Sequence, residues 1–178
     1  MTLGLKVLAA FLIGSIPFAK IAMLGTGIDI TRVGSKNPGF NNVLRVSSKW
    51  RAAIALFGDI AKGCFAVWLL GPHWLVVIAP VAGHCWSPWL RFNGGKGVAT
   101  TVGVMIYMQP WMTLICLPLY PALRIIGRKM GWRQEGAIAS MSTMLLLSLV
   151  VREAYTFAML AIVVIRHIPN LRAIKKIE

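Results

Sequence analysis

The sequence predicts an all-α polytopic membrane protein of about seven transmembrane helices, its N-terminus outside and its C-terminus in the cytoplasm. Three observations lead there. Hydrophobic residues make up 57% of the 178 and charged residues only 13%, where soluble domains carry about 25% charged. A soluble domain of this length could hold one core but would need more polar surface than this chain offers, so the bilayer must solvate much of it. Apolar runs approaching the ~20 residues of a membrane crossing recur along the chain. Finally, the 19 Lys and Arg, against only 5 Asp and Glu, fall mainly between those runs, as the positive-inside rule requires. A net charge of +14 would suggest nucleic acid in a soluble protein. Gathered at span ends it does not, and no nucleic-acid partner is expected.

The first run, Leu3–Leu24, is long enough to span and lacks the form of a cleaved signal peptide. Arg51–Leu70 follows and carries Asp59 and Lys62, which share a face at i and i+3. Charges inside a membrane are costly, so the two read as a structural ion pair. Trp74–Leu90 contains Pro80, an expected kink, and His84, read as a satisfied interior histidine. Gly97–Met108 is short for a crossing. Trp111–Ile126 carries Pro118 and Pro121, a second expected kink. Glu135–Val150 and the short Ala154–Ile165 complete one domain over residues 1–178. Cys64, Cys85 and Cys116 lie in or beside apolar runs without ligand spacing, so they read as buried small residues, and no metal is expected.

Seven spans place the loops Gly25–Trp50, Arg91–Lys96, Gly127–Gln134 and Arg166–Glu178 on one side. With adjoining helix ends they hold 15 of the 19 basic residues, all but Lys6, Lys20, Lys62 and Arg152. That asymmetry assigns them to the cytoplasm.

Three of these segments carry chemistry. The first loop, Gly34 to Arg45, sets Ser35, Asn37, Asn41 and Arg45 among glycines, donors suited to phosphate oxygens, although an ordinary polar loop has the same composition. Asn93-Gly94-Gly95-Lys96-Gly97 precedes the fourth span. There free backbone N–H groups, the helix dipole and the Lys96 charge favour an anion, and a flexible turn with a topology-setting lysine is the equal alternative. It is not a nucleotide loop, because Gly97 stands where Ser or Thr is required. Arg166-His167-Ile168-Pro169-Asn170 ends the last span, and His167 can hold or donate a proton near neutrality.

Taken in order, Gly14-Ser15-Ile16-Pro17, the Gly34–Arg45 loop, Asp59-x-x-Lys62-Gly63, Gly83-His84, Gly94-Gly95-Lys96-Gly97-Val98-Ala99-Thr100 and Arg166-His167-x-x-Asn170 resemble the PlsY family. Its members are bacterial acyl-phosphate:glycerol-3-phosphate acyltransferases, and the likeness covers nearly the whole chain. The resemblance implies transfer of a fatty acyl group to the 1-hydroxyl of glycerol 3-phosphate, giving lysophosphatidate and phosphate, in the bacterial inner membrane with the active face cytoplasmic. It implies Arg45, Lys96 and His167 as catalytic residues. Ser35, Asn37, Asn41, Gly94, Gly95, Gly97, Thr100 and Asn170 are the implied substrate-binding residues. The implied partners are acyl phosphate, glycerol 3-phosphate and membrane lipids, with an acyl-phosphate-producing enzyme or a larger membrane assembly beyond them. No cofactor is implied. No Ser-His-Asp arrangement suggests a covalent acyl-enzyme, and with so few carboxylates the resemblance implies a substrate phosphate as the base. The lack of a His-x4-Asp pair sets the soluble and peripheral glycerolipid acyltransferases aside.

The chain departs from the family pattern at several points. Lys36, Phe40 and Asn41 stand where Gly, Ala and Thr are usual, and Phe40 puts a large ring where a small residue lies near the substrates. Gln134 occupies the place of a serine, with Ser140 the nearest, and Asn93 replaces a lysine. The departures fit a divergent enzyme, with a degenerate lipid-binding or structural paralogue as the alternative. An anion transporter ranks last, for want of inverted repeats.

Overall fold

The computed structural model describes residues 1–175, with side chains described through Pro169. Within those bounds the regular structure is all helical. Leu3–Ser15 (α1) and Phe18–Ala22 (α2) are followed by a loop, then by Phe40–Val46 (α3), Lys49–Leu70 (α4) and Trp74–Cys85 (α5). A 3₁₀ turn at Pro88–Leu90 leads to Val98–Met108 (α6). Pro110–Cys116 (α7), Leu119–Lys129 (α8), Glu135–Val151 (α9) and Ala154–Lys175 (α10) complete the order. Leu3–Ala22, Lys49–Leu70 and Pro110–Lys129 are long and apolar enough to cross a membrane. Trp74–Leu90, Val98–Met108, Glu135–Val151 and Ala154–Pro169 are shorter apolar segments. These stand where the seven spans are expected.

The period of α4 shows which face meets lipid. Trp50, Ile54, Phe57, Phe65 and Trp68 are exposed along one stripe, while Ala52, Ala55, Asp59, Lys62, Gly63, Ala66 and Val67 are buried along the other. Trp50 and Trp68 lie about 27 Å apart along the axis at 1.5 Å per residue. That separation suits two indoles at opposite interfaces of a ~30 Å hydrocarbon core. By contrast α6 covers only about 16 Å by the same rise.

The first span is not continuous. Pro17 supplies no N–H and disfavours helix at the residue before it, so α1 ends at Ser15 and α2 begins at Phe18. A break in an apolar environment must have its carbonyls satisfied from elsewhere. Ser87 Oγ donates to the Ser15 carbonyl at 2.6 Å, and Lys62 Nζ donates to the Ile16 carbonyl at 2.7 Å. Pro80, in contrast, sits inside α5 without ending it, while Pro118 marks the junction of α7 and α8. The last helix runs past the expected end at Ile165 and carries Arg166 and His167 on its continuous turns.

α1 packs along α5 and α4 along α6, and α9 touches α7, α8 and α10. Both long contacts are made by glycine. A Cβ on Gly14 would overlap the Pro80 backbone and one on Gly83 the Phe11 carbonyl. A Cβ on Gly63 would overlap the Thr100 carbonyl and one on Gly103 the Ile60 carbonyl. Helices in lipid gain by this closeness, since apolar burial alone does not drive them together.

Candidate active site

The first loop is organised by a residue whose part the sequence does not announce. Asn42 is 1% exposed, and its amide makes three hydrogen bonds. Oδ1 accepts from the Ser35 N–H at 2.8 Å, and Nδ2 donates to the Ile30 and Val33 carbonyls at 3.1 and 3.0 Å. Gly34, at φ +58°, leaves the room that Asn42 Oδ1 fills. Lys36 follows at φ +57°, a left-handed conformation that costs a side-chain-bearing residue about 1–2 kcal/mol. The folded loop leaves Ser35 exposed and Asn37 half-buried, and sends the chain through Gly39 into α3. Arg45 lies exposed in the last turn of α3. Phe40, expected to crowd the substrates, is half-buried against the apolar cluster that includes Ala19, Ile30, Val43 and Ala52.

Asn41 is otherwise occupied. Its Nδ2 donates to the Tyr120 hydroxyl at 3.3 Å, and its Oδ1 accepts from Arg124 Nη1 at 2.8 Å. Arg124 and Arg128 each reach Glu135 Oε1 at 3.4 Å. Tyr120 and Arg124, one turn apart on α8, hold Asn41, an expected substrate ligand, as a tie between α3 and α8.

The second loop corrects another expectation. Gly94 N–H donates to the Cys85 carbonyl and Gly95 N–H to the His84 carbonyl, both at 3.1 Å. These two amides are spent on the end of α5 and do not cradle an anion. Their glycine requirement is steric, because a Cβ on Gly94 would overlap the His84 carbonyl and one on Gly95 the His84 ring. Arg166 of α10 clamps the other side, donating from Nη2 to the Gly94 carbonyl at 2.6 Å and from Nε to the Gly95 carbonyl at 3.1 Å. Arg166 was legible only as a basic helix end.

Anion capacity begins one step later. Gly97, at φ +83°, opens α6 with no side-chain cap, so the first N–H groups of α6 are the ones free to face a ligand. Lys96 stands beside them, half-buried, with no hydrogen bond or ion pair among the described residues. Burial, and then the Arg166 charge, pushes its pKa down to about 8. Thr100 is fully buried where α6 meets α4, and its hydroxyl has no partner among the described residues.

His167 is 2% exposed, with Nδ1 at 2.7 Å from the Val163 carbonyl. A carbonyl only accepts, so Nδ1 carries the proton and the neutral ring presents Nε2 as an acceptor. The Asn170 side chain lies outside the described residues. Ser140 does not replace the missing serine, since its hydroxyl donates to the Gly136 carbonyl at 2.7 Å. Gln134 caps α9 at φ +61°.

The first two loops meet at a small cavity of about 10 Å³, whose wall includes Pro38 of the first, Gly95 of the second, and Asp59, Lys62 and His84. The expected ion pair is present: Lys62 Nζ lies 2.7 Å from Asp59 Oδ1, and both are buried. No contact among the described residues links Arg45 to Lys96 or His167.

Comparison with known proteins places this arrangement among enzymes. A family model described as glycerol-3-phosphate acyltransferase matches residues 4–176. A glycerol-3-phosphate acyltransferase of Aromatoleum aromaticum is 38% identical over 97% of this chain and 92% of its own length. One from Laribacter hongkongensis is 40% identical over 72% of this chain and 70% of its own. One from Bordetella pertussis is 41% identical over 68% of this chain, but the match spans only 61% of that relative. Among solved structures, a crystal structure of PlsY, an integral membrane glycerol 3-phosphate acyltransferase in its glycerol 3-phosphate form, superposes with a TM-score of 0.83. It is 26% identical, covering 97% of this chain and 91% of that one, and the lysophosphatidic acid form of PlsY superposes at 0.80.

Proposed function

Because the chain belongs to the glycerol-3-phosphate acyltransferase family, we propose that it moves a fatty acyl group from an acyl phosphate to the 1-hydroxyl of glycerol 3-phosphate. The chain is a multi-pass membrane acyltransferase. We infer the acyl-phosphate donor from the family likeness, and the inner-membrane location and cytoplasmic face from the basic loops that carry the motifs.

One observation carries the reading. Lys96 is a half-buried cation with no carboxylate beside it, set at the uncapped start of α6. A cation desolvated without a partner is stabilised by an anion that arrives with the substrate. In the reaction the glycerol hydroxyl attacks the acyl carbon, its proton goes to a base, and the acyl–phosphate bond breaks with phosphate leaving. Lys96 and Arg45 bind phosphate and offset the charge that develops on the carbonyl oxygen. Ser35 and Asn37 hydrogen-bond substrate oxygens. Neutral His167, whose Nε2 is an acceptor, positions a protonated substrate oxygen together with Asn170. An acyl-phosphate-producing enzyme supplies the donor.

The test is phosphate release by the purified protein in lipid nanodiscs, given palmitoyl phosphate and glycerol 3-phosphate. Release that needs both substrates supports the reading. Glycerol 3-phosphate that binds without turnover points to the degenerate paralogue.

Lys96 also predicts a pH profile. The free enzyme loses its Lys96 charge as pH rises through about 8, whereas the substrate phosphate, with a second pKa near 6, stays dianionic. The kcat/KM for glycerol 3-phosphate should therefore be near its plateau at pH 7, about half of it near pH 8, and approach a tenfold fall per unit above about pH 9. Lys96→Arg should remove that limb. An unchanged profile in the arginine variant would assign the limb to another group.

A further inference from the structure

We propose that Asp59, Lys62 and His84 form a buried brace that fixes the Gly94–Gly95 turn, and through it Lys96, so that Lys62 and His84 are positioning residues for acyl transfer. The kinetic part of this inference rests on the function proposed above.

The three side chains are 2%, 4% and 7% exposed and come from α4 and α5. An ammonium has three donors and no acceptor. Lys62 directs two of them to the Ile16 carbonyl at 2.7 Å and His84 Nδ1 at 2.9 Å, and its charge lies 2.7 Å from Asp59 Oδ1 in an ion pair that lacks hydrogen-bond geometry. His84 Nδ1 therefore accepts, and the ring proton sits on Nε2. The 3.3 Å approach of Nδ1 to Asp59 Oδ1 is then a neighbour contact and not a bond. Through Lys62 the brace holds the carbonyl that the Pro17 break sets free.

The far edge of the same ring meets the second loop. Gly95 lies so close to Nε2 that no side chain fits between them. The His84 carbonyl takes the Gly95 N–H and the Cys85 carbonyl takes the Gly94 N–H. Ring and main chain of His84 thus hold the turn from two sides, with the Arg166 guanidinium on a third. Lys96 is the next residue. The brace also borders the small cavity that Pro38 of the first loop and Gly95 of the second line.

A buried ion pair adds little net stability over apolar residues of similar volume, while removing one partner alone leaves a costly orphan charge. The informative variant therefore removes both charges at once, Asp59→Leu with Lys62→Met. His84→Phe is its companion, keeping ring bulk against Gly95 and deleting the acceptor for Lys62. In nanodiscs, amide exchange over residues 91–97 should rise at least tenfold in each variant, with α1–α5 and the α4–α6 contact still protected. KM for glycerol 3-phosphate should rise at least tenfold, with a smaller fall in kcat. Folded variants with unchanged exchange and unchanged KM would overturn the brace. A double variant that does not fold would overturn it too, because the trio would then be holding the bundle and not the loop. The exchange measurement needs no turnover, so a wild-type protein inert toward acyl phosphate would remove the proposed reaction and leave the brace standing or falling on its own result.

Discussion

Changing Lys96 to alanine should lower kcat for acyl transfer by about 10²–10³-fold, equivalent to about 3–4 kcal/mol of lost transition-state stabilisation. The fold should survive. Lys96 makes no bond to any described residue, so its removal orphans no buried partner. The turn it follows is held by Arg166 and by the end of α5, and α6 begins at Gly97 whether or not the ammonium is there. The loss belongs to the chemical step because the charge that grows on the acyl oxygen is absent from the ground state, and only contacts that strengthen on the way to the barrier speed it. Ground-state phosphate binding should weaken as well, so KM for glycerol 3-phosphate rises with the fall in turnover. Phosphate-release kinetics beside a thermal midpoint check both halves of the claim. Turnover near that of the parent, in a protein of unchanged midpoint, would take Lys96 out of the reaction.

Lys96 stood out in the sequence as a candidate because a lysine before a glycine-led helix offers an anion a charge and free N–H groups by local geometry alone. So were the spans, whose hydropathy and helical period are local quantities; the lipid-facing stripe of α4 is visible in its spacing. What sequence spacing missed were contacts closed between distant segments. Asn41 and Asn42 are chemically identical neighbours, yet one is taken by Arg124 of α8 and the other turns inward to knot its own loop. Nothing local separates them. Gly94 and Gly95 read as ligand-binding amides, while their real constraint is the closeness of His84, ten residues back in α5 and placed there by the turn between. Arg166 reads as a topological charge until α10 is seen to continue past the expected membrane edge. The Pro17 break was hidden by the unbroken hydropathy of its span, since a single proline barely moves a mean taken over twenty residues.

The α4–α6 contact gives the second large effect. Replacing Gly103 with alanine should destabilise the protein by about 2–4 kcal/mol, although alanine is the better helix former by about 1 kcal/mol. The added methyl would overlap the Ile60 carbonyl. Backbone cannot rotate aside as a side chain can, so the two helices must separate along the whole contact, and Gly63 against the Thr100 carbonyl loses its fit at the same time. Lipid does not repay the lost packing, because the acyl chains are as apolar as the surfaces they would cover. Gly4→Ala is the control, since nothing lies within 4 Å of a Cβ at Gly4 and its helix should gain by up to about 1 kcal/mol. The two substitutions add the same methyl and should move the thermal midpoint in the same detergent in opposite directions. The Gly103 change should also reach the chemistry. α6 starts beside Lys96 and α4 carries Lys62, so forcing the helices apart shifts the proposed phosphate ligand against the trio proposed to hold its turn. Whatever fraction of Gly103→Ala folds should show a raised KM for glycerol 3-phosphate. Matching midpoints for the two alanine variants would mean that α4 and α6 do not touch backbone to backbone in the membrane.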